Sequence, residues 1–236
     1  MPPFALPSGY NRIQRVNSFQ ELVATPFAGS VNALCWERQL PGDFGAVVEQ
    51  LADGEELATL DEERLQALPL SSTGRAAVAV LLEDLRLLRA HGLAPGLDCI
   101  QGYPRDDEAA AVSTDVYSFH ADSATVPADT WLCTYHGAAS EGLRNDEAQR
   151  QVDIAATRAE LLQRFGGKDD ADFRAYLKEH CYDLHYAPLP QARPFSFGVG
   201  NLWRIAVEYP GNPVPPCIHR APANLPGQPA RLLLIS

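Results

Sequence analysis

The chain has 236 residues, a length that favours one large domain or a core with an appended subdomain over two full domains. With 46% hydrophobic and 21% charged residues it can bury a sizeable core and does not read as disordered. The formal net charge of −11, from 19 Lys and Arg against 30 Asp and Glu, argues against non-specific binding to nucleic acid or to an anionic lipid surface and leaves a small molecule as the expected partner.

No uninterrupted apolar run reaches the roughly 20 residues that span a bilayer. The most hydrophobic stretch, Ala76 to Leu93, contains Glu83, Asp84, Arg86 and Arg89. The first residues carry neither the basic start nor the apolar centre of a secretory signal, so a soluble, cytoplasmic protein is expected. Cys35, Cys99, Cys133, Cys181 and Cys217 are widely spaced and form no C-x-x-C pair, which predicts reduced thiols, mostly buried. Oligomeric state is not legible.

In chain order, the first thirty residues are punctuated by Pro and Gly and show no period. Val31 to Glu37 reads as a short strand. Pro41 to Gly54 reads as a helix with Asp43 as N-cap, an apolar stripe of Phe44, Val47, Val48 and Leu51, and Gly54 as its stop. A longer helix is expected from about Gly74 to His91, capped by Ser72 or Thr73 and closed by Gly92. Residues 1–95 thus form a mainly helical region packed on a core that occupies 96–236.

From Gly96 onward the texture becomes strand-like, at Cys99 to Tyr103, Val112 to His120, Trp131 to Tyr135, Phe195 to Phe197, Leu202 to Tyr209, Cys217 to His219 and Arg231 to Ile235. It is interrupted between 146 and 182 by two helical patterns, one with Ile154, Leu161, Leu162 and Phe165, the other with Phe173, Tyr176 and Leu177, separated by Gly166-Gly167. The fold class expected is α+β: a jelly-roll, cupin-like double-stranded β-helix with N-terminal helices and an inserted helical pair outside it.

Within Phe119-His120-Ala121-Asp122, imidazole and carboxylate are two positions apart, so a strand points both to one side. A closed barrel would bring His219 beside them. Two imidazoles and one carboxylate leave the opposite positions of an ion open, as non-haem Fe(II) oxygenases require, although zinc or nickel could occupy the purified protein. The plainer readings are an exposed pair at 120 and 122 and a core histidine at 219. Arg231, twelve residues on and heading the last apolar strand, needs an anion if buried, either a ligand carboxylate or a structural acid.

His-x-Asp, a late His and an Arg a dozen positions later resemble the signature of the 2-oxoglutarate and Fe(II)-dependent dioxygenases. That resemblance covers about 99–236. It implies His120, Asp122 and His219 as metal ligands and catalytic centre, Arg231 as the residue holding the distal carboxylate of 2-oxoglutarate, and hydroxylation of a small molecule or a protein residue. Leu233 stands where those enzymes often carry Ser or Thr. A fuller resemblance is to an uncharacterised bacterial family with Trp-x-Arg-x-Leu, Phe-His-x-Asp, Cys-Thr-Tyr and His-Arg-Ser/Ala-Pro, here Trp36 to Leu40, Phe119 to Asp122, Cys133 to Tyr135 and His219 to Pro222. It implies no reaction. The alternative function is a non-catalytic cupin-like metal module that senses, stores or passes on metal.

Trp131 and Tyr135 are candidate pocket aromatics beside the cofactor, with core packing as the alternative, and His136 could lie at the pocket mouth. Arg204 and Arg220 would suit an anionic substrate or a solvated face. His180, Cys181 and His185 have spacing that could hold zinc, but no second Cys or His pair accompanies them. Gly198-Val199-Gly200 lacks a following helix, and no Gly-x-Ser-x-Gly elbow occurs, so nucleotide-binding and serine hydrolase readings lack residues.

Overall fold

The computed structural model describes residues 4–51, 56–105, 110–223, 225 and 227–236. Gly54, the expected stop of the helix that begins at Pro41, lies outside them. The chain runs β1 (Ile13–Val16), α1 (Phe19–Ala24), β2 (Ala33–Trp36), α2 (Phe44–Glu49), β3 (Leu57–Thr59), α3 (Glu62–Ala67), α4 (Ser72–Ala90), β4 (Gly96–Ile100), β5 (Phe119–His120), β6 (Asp129–His136) and β7 (Glu141–Leu143). It continues with β8 (Ala148–Arg150), α5 (Ala155–Phe165), α6 (Ala171–Glu179), β9 (His185–Pro188), β10 (Phe195–Ser196), β11 (Leu202–Ala206), β12 (Ile218–Arg220) and β13 (Arg231–Ile235). The fold is mixed α+β, as expected.

Among the described residues the strands form a seven-stranded sheet, ordered β1-β2-β11-β6-β13-β4-β3, and a six-stranded sheet, ordered β10-β7-β12-β5-β9-β8. Neighbours are antiparallel except β1 and β2. Leu132, Trp203 and Ile205 of the large sheet pack with Phe195, Phe197 and Cys217 between the two layers. The sheets therefore stack face to face, and that apolar filling leaves room for polar side chains only at particular positions.

The other face of the large sheet carries Leu34, Leu97, Trp131, Cys133, Tyr135, Leu202, Leu232 and Leu234, covered by Leu22, Phe44, Val47, Leu81, Leu85 and Leu88 of the N-terminal helices. The reason lies in α4, where Ala77, Val78, Leu81, Leu85 and Leu88 recur at helical spacing on its buried side. Ser71 caps α4 by accepting from the Gly74 N–H, and Gly92, at φ +82, ends it in the left-handed conformation that glycine adopts without strain.

Residues 1–95 are not purely helical. They contribute β1 and β2 to one edge of the large sheet and β3 to the other, so the region is built into the sheet as well as packed on it. Between 146 and 182 the two expected helices are present, with Gly166 left-handed at the break. Leu161, Phe173 and Leu177 enclose Val112, which ties this excursion to the segment leading into β5. All five cysteines are free, four of them buried. No helix among the described residues is long and apolar enough to cross a membrane.

Candidate metal centre

Alternation along the small sheet decides which side chains meet. Phe119, Ala121, Leu143, Tyr186 and Ile218 share one face in a small apolar cluster. Their neighbours His120 and His219 take the other face, toward the large sheet. The antiparallel register sets His219 directly opposite His120, with ring centroids 4.6 Å apart. Asp122 follows β5 and closes the group: its Oδ1 is 3.8 Å from His120 Nε2 and its Oδ2 is 3.7 Å from His219 Nε2.

Each residue thus offers one ligand atom, and these atoms all lie within 4.8 Å of one another, a group that could hold one metal ion. The outer contacts suit that role. His120 Nδ1 lies 2.7 Å from the Ser118 carbonyl and His219 Nδ1 3.4 Å from that of Cys217. With Nδ1–H donated to a carbonyl, Nε2 carries the lone pair on the side facing Asp122, the tautomer a metal needs. Thr130 donates to Asp122 Oδ2 at 2.5 Å, fixing the carboxylate from the large sheet. Thr130 is a contributor that motif reading missed; its place on the inward face of β6 was the available signal.

Burial, and then the neighbouring His219, push the His120 pKa down from 6.5 to about 4. Burial pushes Asp122 upward, but His219, Thr130 and His120 outweigh it and hold the carboxyl below its ordinary value. Both groups are therefore in the ligating form at neutral pH. Between pH 6.5 and 4 the unfolded chain takes up a proton at residue 120 that the folded chain refuses, so stability falls as pH falls through that window. Asp122 contributes stability above its ordinary value that is lost only at still lower pH. Urea unfolding of metal-free protein should give a lower midpoint at pH 5 than at pH 7. Replacing His120 by Asn should shrink that difference, and an undiminished difference would contradict the assignment.

Arg231 is 8% exposed and lies on the Leu233 side of β13, opposite the helix-facing Leu232 and Leu234. Its Nη2 donates to Ser140 Oγ at 3.1 Å, next to β7 of the small sheet, while its buried Nε and Nη1 have no hydrogen-bond partner among the described residues. Burial lowers its pKa, and the nearby Tyr103 and Tyr117 hydroxyls oppose that. Tyr103, Tyr117, Gln101 and Gln228 line a cavity of about 20 Å³ against it. No ion pair to Arg231 occurs among the described residues.

No family model, curated protein or solved structure matches the chain.

Trp131 and Tyr135 are not part of this space. They sit on the helix-facing side of β6, where Trp131 packs edge-on near His91 and beside Phe19, and Tyr135 stacks on Phe44. The pocket placement is corrected by the strand's period of two: Thr130 and Leu132 take the inward face, so Trp131, Cys133 and Tyr135, at the alternate positions, point away. His136, at the end of β6, packs against Gly45 in α2. Arg204 pairs with Asp129 at 2.7 Å and donates to the Leu22, Val23 and Thr25 carbonyls, closing the C-terminal end of α1. Arg220 pairs with Glu141 across strands. The zinc spacing at 180–185 does not assemble, because Cys181 is exposed in a left-handed turn while His185 is buried on β9.

The motif residues Arg38, Cys133 and Tyr135 instead meet on the helix side of the large sheet. Arg38 donates to Asp84 Oδ1 at 2.7 Å, to the Gly200 carbonyl at 2.9 Å and to Cys133 Sγ at 3.4 Å, and Tyr135 donates to Asp84 Oδ2 at 2.6 Å. Burial raises the Cys133 thiol to about 12, so it is not a nucleophile at neutral pH.

Proposed function

We propose that the chain is an Fe(II)- and 2-oxoglutarate-dependent oxygenase hydroxylating a small molecule or a protein residue, on a double-stranded β-helix core. Along β4, β5, β6, β7, β10, β11, β12 and β13 the strands fall in the large, small, large, small, small, large, small and large sheet. Such alternation supports the β-helix reading, with β8, β9, α5 and α6 as an excursion from it.

The observation that carries the functional reading is the pairing, between the same two sheets, of a three-ligand cluster with a buried guanidinium that has no acidic partner among the described residues. His120, Asp122 and His219 would hold the ion on one face, with Thr130 and the Ser118 and Cys217 carbonyls fixing their orientation. Fe(II), held by these residues, would supply the redox chemistry toward a keto acid and dioxygen. Arg231 would receive the distal carboxylate of the diacid on one of its two unpartnered nitrogens, a charge-assisted contact that selects a diacid over a monoacid. Ser140 holds the third nitrogen; it directly precedes Glu141, which pairs with Arg220, so it lies two residues before Gly142, the partner of His219, roughly 7 Å along the chain. Leu132, Phe197 and Trp203 form an apolar layer beside this space.

Titrating 2-oxoglutarate into the anaerobic Fe(II) protein should produce a visible metal-to-ligand charge-transfer band. Arg231→Leu should weaken that binding at least ten-fold, equivalent to about 1.4 kcal/mol, with iron content unchanged, and Arg231→Lys should fall between. A wild type that shows no band at millimolar 2-oxoglutarate would overturn the oxygenase reading and favour a metal-binding module without turnover.

A further inference from the structure

A third imidazole flanks the candidate ligands, and it is brought there by a strand outside the eight that make the barrel. β9 follows the helical excursion and pairs with β5 so that His185 lies directly opposite His120, with ring centroids 5.7 Å apart. The same register puts His185 on the same face of the small sheet as His120 and His219, toward the large sheet, and it is only 5% exposed. It is not one of the residues whose ligand atoms cluster within 4.8 Å, so it stands next to the group rather than in it.

The opposite flank is closed. Beyond His219 the next residue across the sheet is Gly142, and a Cβ there would meet Phe195 Cζ at 2.3 Å and Phe197 Cε1 at 2.7 Å. Two phenyl rings thus fill the place of a side chain at 142, which is why glycine stands there. Along the inner face of the small sheet, the ion's surroundings are hydrocarbon on the His219 side and imidazole on the His120 side. Of these two flanks, the second is the one that offers a small anion or an oxygen-bearing ligand on an open position a hydrogen-bond donor among the described residues.

We propose that His185 is a ligand-binding residue of this centre: its ring N–H donates to an anionic or oxygen ligand held at the open positions of the ion. The proposal rests on the metal reading of His120, Asp122 and His219, and it assigns the excursion of 146–182 a chemical contribution, the delivery of this imidazole on β9.

The test uses Co(II)-loaded full-length protein and azide as the probe, followed by visible absorption. His185→Phe, similar in size and without a donor, should bind one Co(II) as the wild type does and raise the azide dissociation constant about ten-fold or more. His185→Gln, which keeps an N–H donor, should recover most of the affinity and covers the case in which the phenylalanine variant does not fold. Azide affinity unchanged in both variants would overturn the proposal, and so would loss of Co(II) from both, which would make His185 a ligand. A wild type that takes up no Co(II) removes the metal reading itself, and the proposal with it.

Discussion

Replacing Asp84 by Ala is expected to cost about 3–5 kcal/mol, because it leaves the Arg38 guanidinium buried without its counter-charge. The two side chains are 3% and 7% exposed and meet at 2.7 Å. Burial works against the Arg38 charge, and the Asp84 carboxylate more than offsets it, holding its pKa above the ordinary value. Tyr135 loses its acceptor in the same variant, since its hydroxyl donates to the other carboxylate oxygen. On a domain stabilised by about 5–15 kcal/mol this is a large share, worth roughly 10 °C in Tm. The double variant Arg38→Met, Asp84→Leu should be more stable than Asp84→Ala alone, because no charge is left stranded. Thermal unfolding of the three proteins checks this, and a fall of under 1 kcal/mol in Asp84→Ala would show that the pair does not bind the helices to the sheet.

The second large effect is on metal. His219→Ala removes one of three ligand atoms and leaves Asp122 facing His120 alone. Affinity for Co(II) should fall at least a hundred-fold, more than the 10–100-fold typical of losing an outer partner. Thr130→Val removes such an outer partner and should stay within that range. A Co(II) titration monitored by visible absorption distinguishes the two, and equal losses would mean that His219 is not a ligand.

The candidate ligands were legible because a two-residue spacing on a strand fixes a shared face whatever the fold. β13 was legible to the residue, since Leu232 to Ile235 form an apolar run that opens at Arg231. Other parts were not. Val112 to His120 has strand-like composition, yet only Phe119–His120 is strand, because the Asp115 carboxylate accepts from the Tyr117 and Ser118 N–H groups and bends the chain into a turn. β7 contains Gly142 and no β-branched residue; it is a strand only because β10 and β12 pair with it. Trp131 and Tyr135 were misplaced because both faces of the large sheet are covered, one by the small sheet and one by helices, so apolar residues on β6 do not reveal which face is inward. The alternation separated them from Thr130 but not the direction. Spacing groups His185 with Cys181, four positions earlier, whereas register with His120 is a fact of pairing that spacing does not carry.

The claim on which the rest depends is that His120, Asp122 and His219 bind one ion together. Anaerobic equilibrium dialysis against Fe(II), comparing wild type with the triple variant His120→Ala, Asp122→Ala, His219→Ala, tests it most directly, with circular dichroism confirming that both are folded. The account predicts one Fe(II) per wild-type chain and none above background in the variant. Equal iron in the two proteins, or none in the wild type at any concentration that leaves it folded, would contradict it.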